Sequence, residues 1–380
     1  MCRCLDLPAA FPVIGRVALG LILALLLAGG ARAGEGFEMP RPGYVFQFPR
    51  DHGAHPEYKT EWWYYVGHLK AASGESFGYQ LTFFRVALRK LRQPDPQARS
   101  AWSLHTVYFA HLALTDAARR TFAFRDQAGR EALGLSGAAV GAMKVWIDDW
   151  RAELQGEEFH LQAQEGGLGL DLVLKPMKPP ALHGDGGYSR KSEEYDAASY
   201  YYSLPMLNTR GTITVDGRQL PVTGTSWMDH EFFSGAMAPD LAGWDWFSLQ
   251  LADGREVMLY LLRQKDGAVD PASAGSLIDP TGGVRHLKLS DFKVRATGSW
   301  TSPRTRTKYP AGWEISIPEA GYRLTLTPTL PDQEIRAAAP ARVTYWEGQV
   351  KIQGVKNGAP MAGLGYAELT GYAGGLGARF

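Results

Sequence analysis

Beyond residue 4 the sequence contains no cysteine. Cys2 and Cys4 are the whole supply, so the rest of the chain can build neither a disulfide framework nor a thiolate nucleophile. Long amphipathic helical patterns are also missing. No stretch after residue 34 repeats apolar residues at helical spacing between caps, and only Gln97–Ser100 and Asp116–Arg120 read as short helical turns. Nor does one sign of charge dominate. Of 40 basic and 39 acidic side chains, 37 and 38 remain once Arg3, Arg16, Arg32 and Asp6 are set aside, a net charge near −1. That balance argues against nucleic acid or an anionic lipid surface as a partner. There is no G-x-S-x-G elbow, no dinucleotide or P-loop fingerprint and no helical H-E-x-x-H, so serine-hydrolase, nucleotide and zincin chemistry lack their usual carriers.

The first 33 residues differ from everything after them. Arg3 and Arg16 precede the uncharged run Val17–Ala28, and Ala31 and Ala33 follow it. This layout predicts a secretory signal peptide cut after Ala33. The run is too short to span a bilayer core of roughly 30 Å as a helix; the competing reading is an uncleaved anchor. Cleavage removes both cysteines and leaves a periplasmic or secreted protein that is not integral to the membrane. Its stability must then come from a large core.

Runs rich in Tyr, Trp, Phe, Val and Thr recur between Gly, Asp-Gly, Asn-Gly and Pro, as in Glu61–Leu69, Phe77–Ala87, Ser103–Leu114, Trp244–Leu251 and Glu256–Arg263. These predict an all-β, antiparallel fold of sandwiches or barrels. The segment Gly211–Gly217 leads into Gly224–His230 much as Gly348–Gly354 leads into Gly363–Leu369: a strand, a turn, then a strand with an aromatic and a carboxylate. The similarity predicts two related domains, 34–235 and 236–380. Between strands, Lys178–Ser199 is long, glycine-rich and polar, and reads as a mobile surface loop or lid.

Aromatic residues make up 12% of the chain and cluster in Glu61–Gly67, Tyr200–Tyr202 and Gly243–Phe247. Because strand neighbours face opposite ways, Glu61, Trp63 and Tyr65 share one face and Trp62 and Tyr64 the other, while Trp244 and Trp246 share a face. An interior lined by such faces suits a large apolar or conjugated ligand, unless the rings simply fill two cores. Glu61, Arg85, His111 and Asp229-His230-Glu231 interrupt the apolar strands. Charges there need partners, and they form either a structural ion-pair network or a polar floor able to protonate a ligand. The stretch Asp51–Glu57 holds two histidines and two carboxylates, but in an irregular loop without zinc-site spacing; it reads as a loop packed over the first barrel, not as a metal site.

Several stretches match a known family: Phe48–Gly67, Tyr79-Gln-Leu-Thr-Phe-Phe-Arg85, His111–Asp116, Tyr201–Ser203, Thr225–Glu231, Trp244–Trp246, Tyr345–Gly348 and Gly365–Tyr372. In this combination the chain resembles the lipocalin-like family of carotenoid 1,2-hydratases and AttH-type secreted proteins. The resemblance implies two lipocalin-like, calycin-type β-barrels side by side and no cofactor. Hydratases of the family add water to an acyclic carotene through a carbocation, and fungal relatives resemble pericyclases. Asp229–Phe232 occupies the hydratases' histidine and aromatic segment, and Tyr260 their tyrosine; their proton-donating Asp falls on Leu262, which cannot protonate an alkene. Asp229, Glu231, Glu61 or Asp245 would have to replace it.

These readings converge on an exported two-barrel protein that binds a polyene, isoprenoid or lipid-like molecule. His230, Asp229 and Glu231 would move protons, Glu61 and Arg85 would form the charge network, and Tyr260, Trp63, Tyr65, His111, Tyr202, Trp244 and Trp246 would line the ligand. Two alternatives use no catalysis, a lipid carrier and an accessory of an envelope ABC transporter permease; a further alternative is a secreted hydrolase. Protein recovered from the periplasm of a Gram-negative host is expected to begin at Gly34 by intact mass; retention of Met1 would show an uncleaved anchor instead.

Overall fold

The computed structural model describes residues 36–90, 105–131, 133–193, 195–235, 238–338 and 341–374. The signal-peptide reading and the Gln97–Ser100 turn lie outside the described residues. Thirteen strands form a first sheet: β1 (Thr60–Ala71), β2 (Ser76–Ala87), β3 (Thr106–Asp116), β4 (Thr121–Arg130), β5 (Ser136–Ala138), β6 (Lys144–Ile147), β7 (Trp150–Gln155), β8 (Glu158–Glu165), β9 (Leu168–Pro176), β10 (Ala181–Leu182), β11 (Tyr188–Arg190), β12 (Ala198–Val215) and β13 (Arg218–Phe233). A second sheet and a short ribbon follow: β14 (Leu241–Leu251), β15 (Glu256–Gln264), β16 (Ala274–Ile278), β17 (Val284–Lys288), β18 (Lys293–Ala296), β19 (Ser299–Thr301), β20 (Lys308–Pro310), β21 (Trp313–Ile317), β22 (Tyr322–Pro328), β23 (Glu334–Arg336), β24 (Thr344–Lys356) and β25 (Ala359–Leu369). Every ladder is antiparallel. Among the described residues the only helices are three single 3₁₀ turns, and no helix is long and apolar enough to cross a membrane.

The first sheet runs β4-β3-β2-β1-β13-β12-β9-β8-β7-β6-β5. It curls until β5 returns beside β4, where the Ser136 hydroxyl donates to the Arg130 carbonyl at 2.7 Å. The second runs β17-β16-β15-β14-β25-β24-β22-β21-β18. The chain thus forms two lipocalin-like antiparallel β-barrels side by side, the first nearly closed. In both sheets the last long strand pairs with the first, β13 with β1 and β25 with β14.

Alternation along the strands supplies two apolar sets. Inside the first barrel, Trp63, Tyr65, Tyr79, Leu81, Phe83, Leu112 and Leu172 join one core; inside the second, Phe247, Leu249, Trp313, Ile315, Leu324 and Trp346 join another. A third cluster lies between the barrels and contains Tyr64, Val66, Tyr201, Trp227, Trp246, Met258 and Tyr260. The outer face of β1, which a solvated antiparallel sheet would leave polar, is therefore also buried. Close approach of the sheets needs a glycine at position 78, where a Cβ would stand 2.5 Å from the Tyr366 hydroxyl of β25.

The segment Lys178–Ser199, read from sequence as a mobile lid, is instead a strap between the barrels. Lys178 Nζ donates to both Glu256 oxygens at 2.9 and 2.7 Å, and His183 bridges Ser276 and Ser203 at 2.9 and 2.6 Å. Strands β10 and β11 pair with β12. Lys178, His183 and Lys191 of this segment satisfy buried groups on the two sheets, while Glu193 and Asp196 stay exposed.

The two faces of β1 predict different costs. Trp63→Ala, which empties a fully buried site, should destabilise the protein by about 3–5 kcal/mol in urea unfolding. Trp62→Ala, on the half-buried outer face, should cost clearly less.

Candidate functional site

Register decides which polar residues meet. On the inner face of the first barrel Trp63 lies between His230 and Phe83, and His230 lies beside Tyr202. One row along, Glu61 lies between Phe232 and Arg85. Glu61 Oε1 accepts from His55 Nδ1 at 2.8 Å and His230 Nε2 at 2.9 Å, and Oε2 accepts from Arg85 Nε at 2.9 Å. Arg85 also donates to the carbonyls of His55 and Tyr58, each at 2.8 Å. Burial by itself would raise the Glu61 pKa, but the Arg85 charge and the two histidine hydrogen bonds outweigh it and hold the carboxyl well below its usual range. With Nε2 donating to Glu61, neutral His230 accepts at Nδ1 from the Tyr202 hydroxyl at 3.0 Å. Tyr202 in turn accepts from His52 Nδ1 at 2.7 Å.

Ligand atoms of His55, Glu61 and His230 lie within 4.8 Å of one another, a donor set of metal-binding type. Arg85 argues against a cation there. Its guanidinium already supplies the positive charge beside Glu61, and a second one would meet direct repulsion.

The other face of the same strands meets the second barrel at a cavity of about 150 Å³. One wall carries the row Asp229–Tyr64–Thr82–His111 across β13, β1, β2 and β3. The facing wall carries Tyr260–Trp246–Glu368–Glu347 across β15, β14, β25 and β24. Trp62, Phe84, Tyr201, Trp244 and Tyr345 complete an aromatic lining. The rings of Tyr64 and Trp246 meet edge to face with centroids 5.2 Å apart.

Carboxyl groups here behave unlike Glu61. Asp229 accepts from Trp227 Nε1 and the Tyr201 hydroxyl, both at 2.6 Å, and from Ser203. Burial nevertheless dominates and pushes it up to about 7. Glu368, deep in the interface but open to the cavity, is also pushed up to about 7 by burial, against a hydrogen bond from Trp244. Glu347, directly across the strand pair, is raised well above the carboxylate range by burial and by Glu368. Glu231 forms an ion pair with Lys191, whose Nζ lies 2.9 Å away; that ammonium also sits over the rings of Tyr260 and Tyr201 at 4.4 and 5.0 Å. The cavity therefore contains carboxylic acids that keep their protons near neutral pH, surrounded by π faces.

The AttH-like family model matches residues 39–372. The chain belongs to the AttH-like family. A crystal structure of a candidate AttH from Nitrosomonas europaea is 33% identical, with a TM-score of 0.80 over 88% of this chain and 99% of that one. Kievitone hydratase from Nectria haematococca is 14% identical at a TM-score of 0.67, covering 90% and 97% of the two chains. CghA, solved with Sch210972, is 14% identical at 0.52, covering 90% and 98%. At such identity these two share the fold. A search among curated proteins finds no significant match.

In this AttH-like chain the residues singled out from sequence divide into two groups. Glu61, Arg85, His230, Tyr202, Trp63 and Tyr65 lie inside the first barrel and form no part of the cavity wall. Asp229, Glu231, Tyr260, His111, Trp244 and Trp246 are in that wall, and so is Leu262. Asp245 points away and pairs with Arg263 at 2.8 Å. Sequence reasoning missed Tyr64, Tyr201, Lys191, Glu347 and Glu368. The last two stand in the quoted stretches Tyr345–Gly348 and Gly365–Tyr372, and the hairpin similarity already paired Asp229 with Glu368.

Glu368→Gln tests the electrostatics. A carboxyl whose pKa is raised on folding stabilises the fold fully below its unfolded pKa, and that contribution is lost as pH rises through the folded value. From pH 5 to pH 8 the stability of the glutamine variant relative to the parent should therefore rise, on the order of 1–2 kcal/mol in urea titrations. A pH-independent difference would place Glu368 in a solvent-like setting.

Proposed function

We propose that this AttH-like protein acts outside the cytoplasm, after signal cleavage, as a cofactor-free hydratase or lyase on an apolar, unsaturated molecule of polyene or isoprenoid type. Residues 34–235 and 236–380 are read as two related domains whose interface is the site. The observation that carries the proposal is the set of buried carboxyls, Asp229, Glu347 and Glu368, gathered in an aromatic cavity where burial raises their proton affinity. A carboxylic acid held near neutral pKa is suited to proton transfer. Donation of its proton to one alkene carbon leaves a cation on the other, which the faces of Trp62, Tyr64, Trp244 and Trp246 can stabilise. Water then adds its oxygen to that carbon and returns a proton to the carboxylate, so the acid is regenerated and no co-reactant is used.

The wall also accounts for the leucine at position 262. Acids from β13, β24 and β25 line the same cavity, so the proton need not come from β15. Inside the first barrel, the Glu61–Arg85–His230 network would hold β1, β2 and β13 in register and thereby aim Tyr64 and Asp229. The likeness in fold to kievitone hydratase supports the reaction class.

The test is to incubate the mature protein with acyclic terpenoids and prenylated phenols and to follow gain of one water by mass spectrometry. Asp229→Asn and Glu368→Gln are expected to lower turnover on the order of 10²–10⁴-fold where each is the donor, with ligand binding retained. Bound ligand without product would favour a carrier. Neither binding nor turnover, with capture of a permease, would favour a transporter accessory.

A further inference from the structure

Four buried side chains on the cavity wall present polar atoms that make no hydrogen bond of normal geometry among the described residues: the Tyr64 hydroxyl, Gln80 Oε1, His111 Nε2 and both carboxyl oxygens of Glu347; the Tyr64 hydroxyl faces Glu347 closely enough to act on its proton affinity, but short of a direct hydrogen bond. All four residues are more than nine-tenths buried. Buried polar groups are almost always paired, and each one left unpaired costs about 1–3 kcal/mol. Register brings them together. Tyr64 and His111 flank Thr82 in one cross-strand row, Gln80 is the next residue on the same face of β2, and Glu347 reaches in from β24.

Their hydrogen-bonding roles follow from their neighbours. Gln80 Nε2 donates to the Tyr345 oxygen at 3.1 Å and to Thr82 at 3.0 Å. The Tyr345 hydroxyl, accepting from Gln80, gives its own hydrogen to His111 Nδ1 at 2.8 Å. Nε2 of a neutral imidazole then carries the proton and is a donor. Burial keeps His111 neutral, lowering it to about 3. Glu347, protonated, offers one donor and one acceptor. The group as a whole offers O–H or N–H donors at Tyr64, His111 and Glu347 and acceptors at Gln80 and Glu347. It contains no cation, and Lys191 is engaged with Glu231.

We propose that Tyr64, Gln80, His111 and Glu347 form a subsite for an uncharged oxygen, a hydroxyl or carbonyl group, on an otherwise apolar ligand. This rests on the reading of the cavity as the ligand site and narrows it. A pure hydrocarbon would leave all four groups unpaired. A carboxylate or phosphate would enter without a counter-charge and beside Glu347. The ligand class is therefore an oxygenated isoprenoid or polyene.

Four acyclic C10 probes of similar shape separate the cases: myrcene (hydrocarbon), geraniol (alcohol), citral (aldehyde) and geranate (carboxylate). Binding to the mature protein is read by the change in tryptophan fluorescence, to which Trp62, Trp244 and Trp246 in the cavity wall contribute. Geraniol and citral should bind at least about tenfold tighter than myrcene, and geranate no tighter than myrcene. Tyr64→Phe should weaken geraniol about fivefold and leave myrcene unchanged. Equal affinity for geraniol and myrcene, or a preference for geranate, overturns the subsite and leaves an apolar pocket; failure of all four to bind overturns the pocket as well. Thermal unfolding separates binding from folding. Tyr64→Phe removes a hydroxyl that makes no close hydrogen bond in the free protein and Glu347→Gln exchanges an equally unbonded acid for an amide of the same shape, so neither midpoint should fall appreciably below the parent's. A fall of several degrees would mark a structural role and overturn the assignment.

Discussion

Most of β1 and β2, with Ala198–Pro205 of β12 and Ser226–Phe232 of β13, are buried on both faces, and the rest of the architecture depends on that constraint. A lone barrel would show solvent the outer face of these strands. Here that face packs on β14, β15, β24 and β25, so residues of both parities must be apolar, aromatic or internally satisfied. Runs such as Trp62-Trp63-Tyr64-Tyr65 follow from it. Aromatic side chains serve both faces because they bury large areas while a hydroxyl or indole N–H can still reach a partner. Where the two outer faces meet imperfectly, a cavity remains, and its wall is drawn from both barrels.

The two polar systems on these strands show how environment divides chemically similar groups. Glu61 is enclosed more completely than Asp229, yet it is ionised, because Arg85, His55 and His230 converge on it. Asp229, Glu347 and Glu368 face few or no cations and one another's charge, so burial keeps their protons in place. The first arrangement holds a barrel together through an ion pair that is costly to break from one side. The second keeps acids ready in a site where neutral molecules can enter. Only a few ångströms of β1 and β13 separate them, since successive residues point to opposite sides.

Much of this was legible in the sequence. The all-β class, most strand positions and the two-barrel arrangement follow from aromatic-rich runs, turn signals and motif content. The candidate residues were gathered from the right strands, but the period of two assigns faces without saying which face meets what. Trp63 and Tyr65 were expected to line the ligand and instead fill the first core, while Tyr64, one residue away, is in the cavity wall. Lys178–Ser199 looked like a free loop because its glycines and charges are typical of one; two of its cations are in fact paired with buried carboxylates, Lys178 with Glu256 of the second barrel and Lys191 with Glu231 of the first. Glu347 and Glu368 carried no local sign of burial.

The sequence by itself determined the strands, their alternating faces and the absence of thiol chemistry in the body of the chain, because these depend on composition and on spacing between near neighbours. Only the tertiary structure decided which face became a core and which became a cavity. It also decided which carboxyls are ionised, because a carboxyl's charge depends on groups brought to it from strands far apart in the chain. Glu61 and His230 are 169 residues apart, while the cavity row sets Trp246 beside Glu368, with the first barrel's Tyr64 packed against that tryptophan.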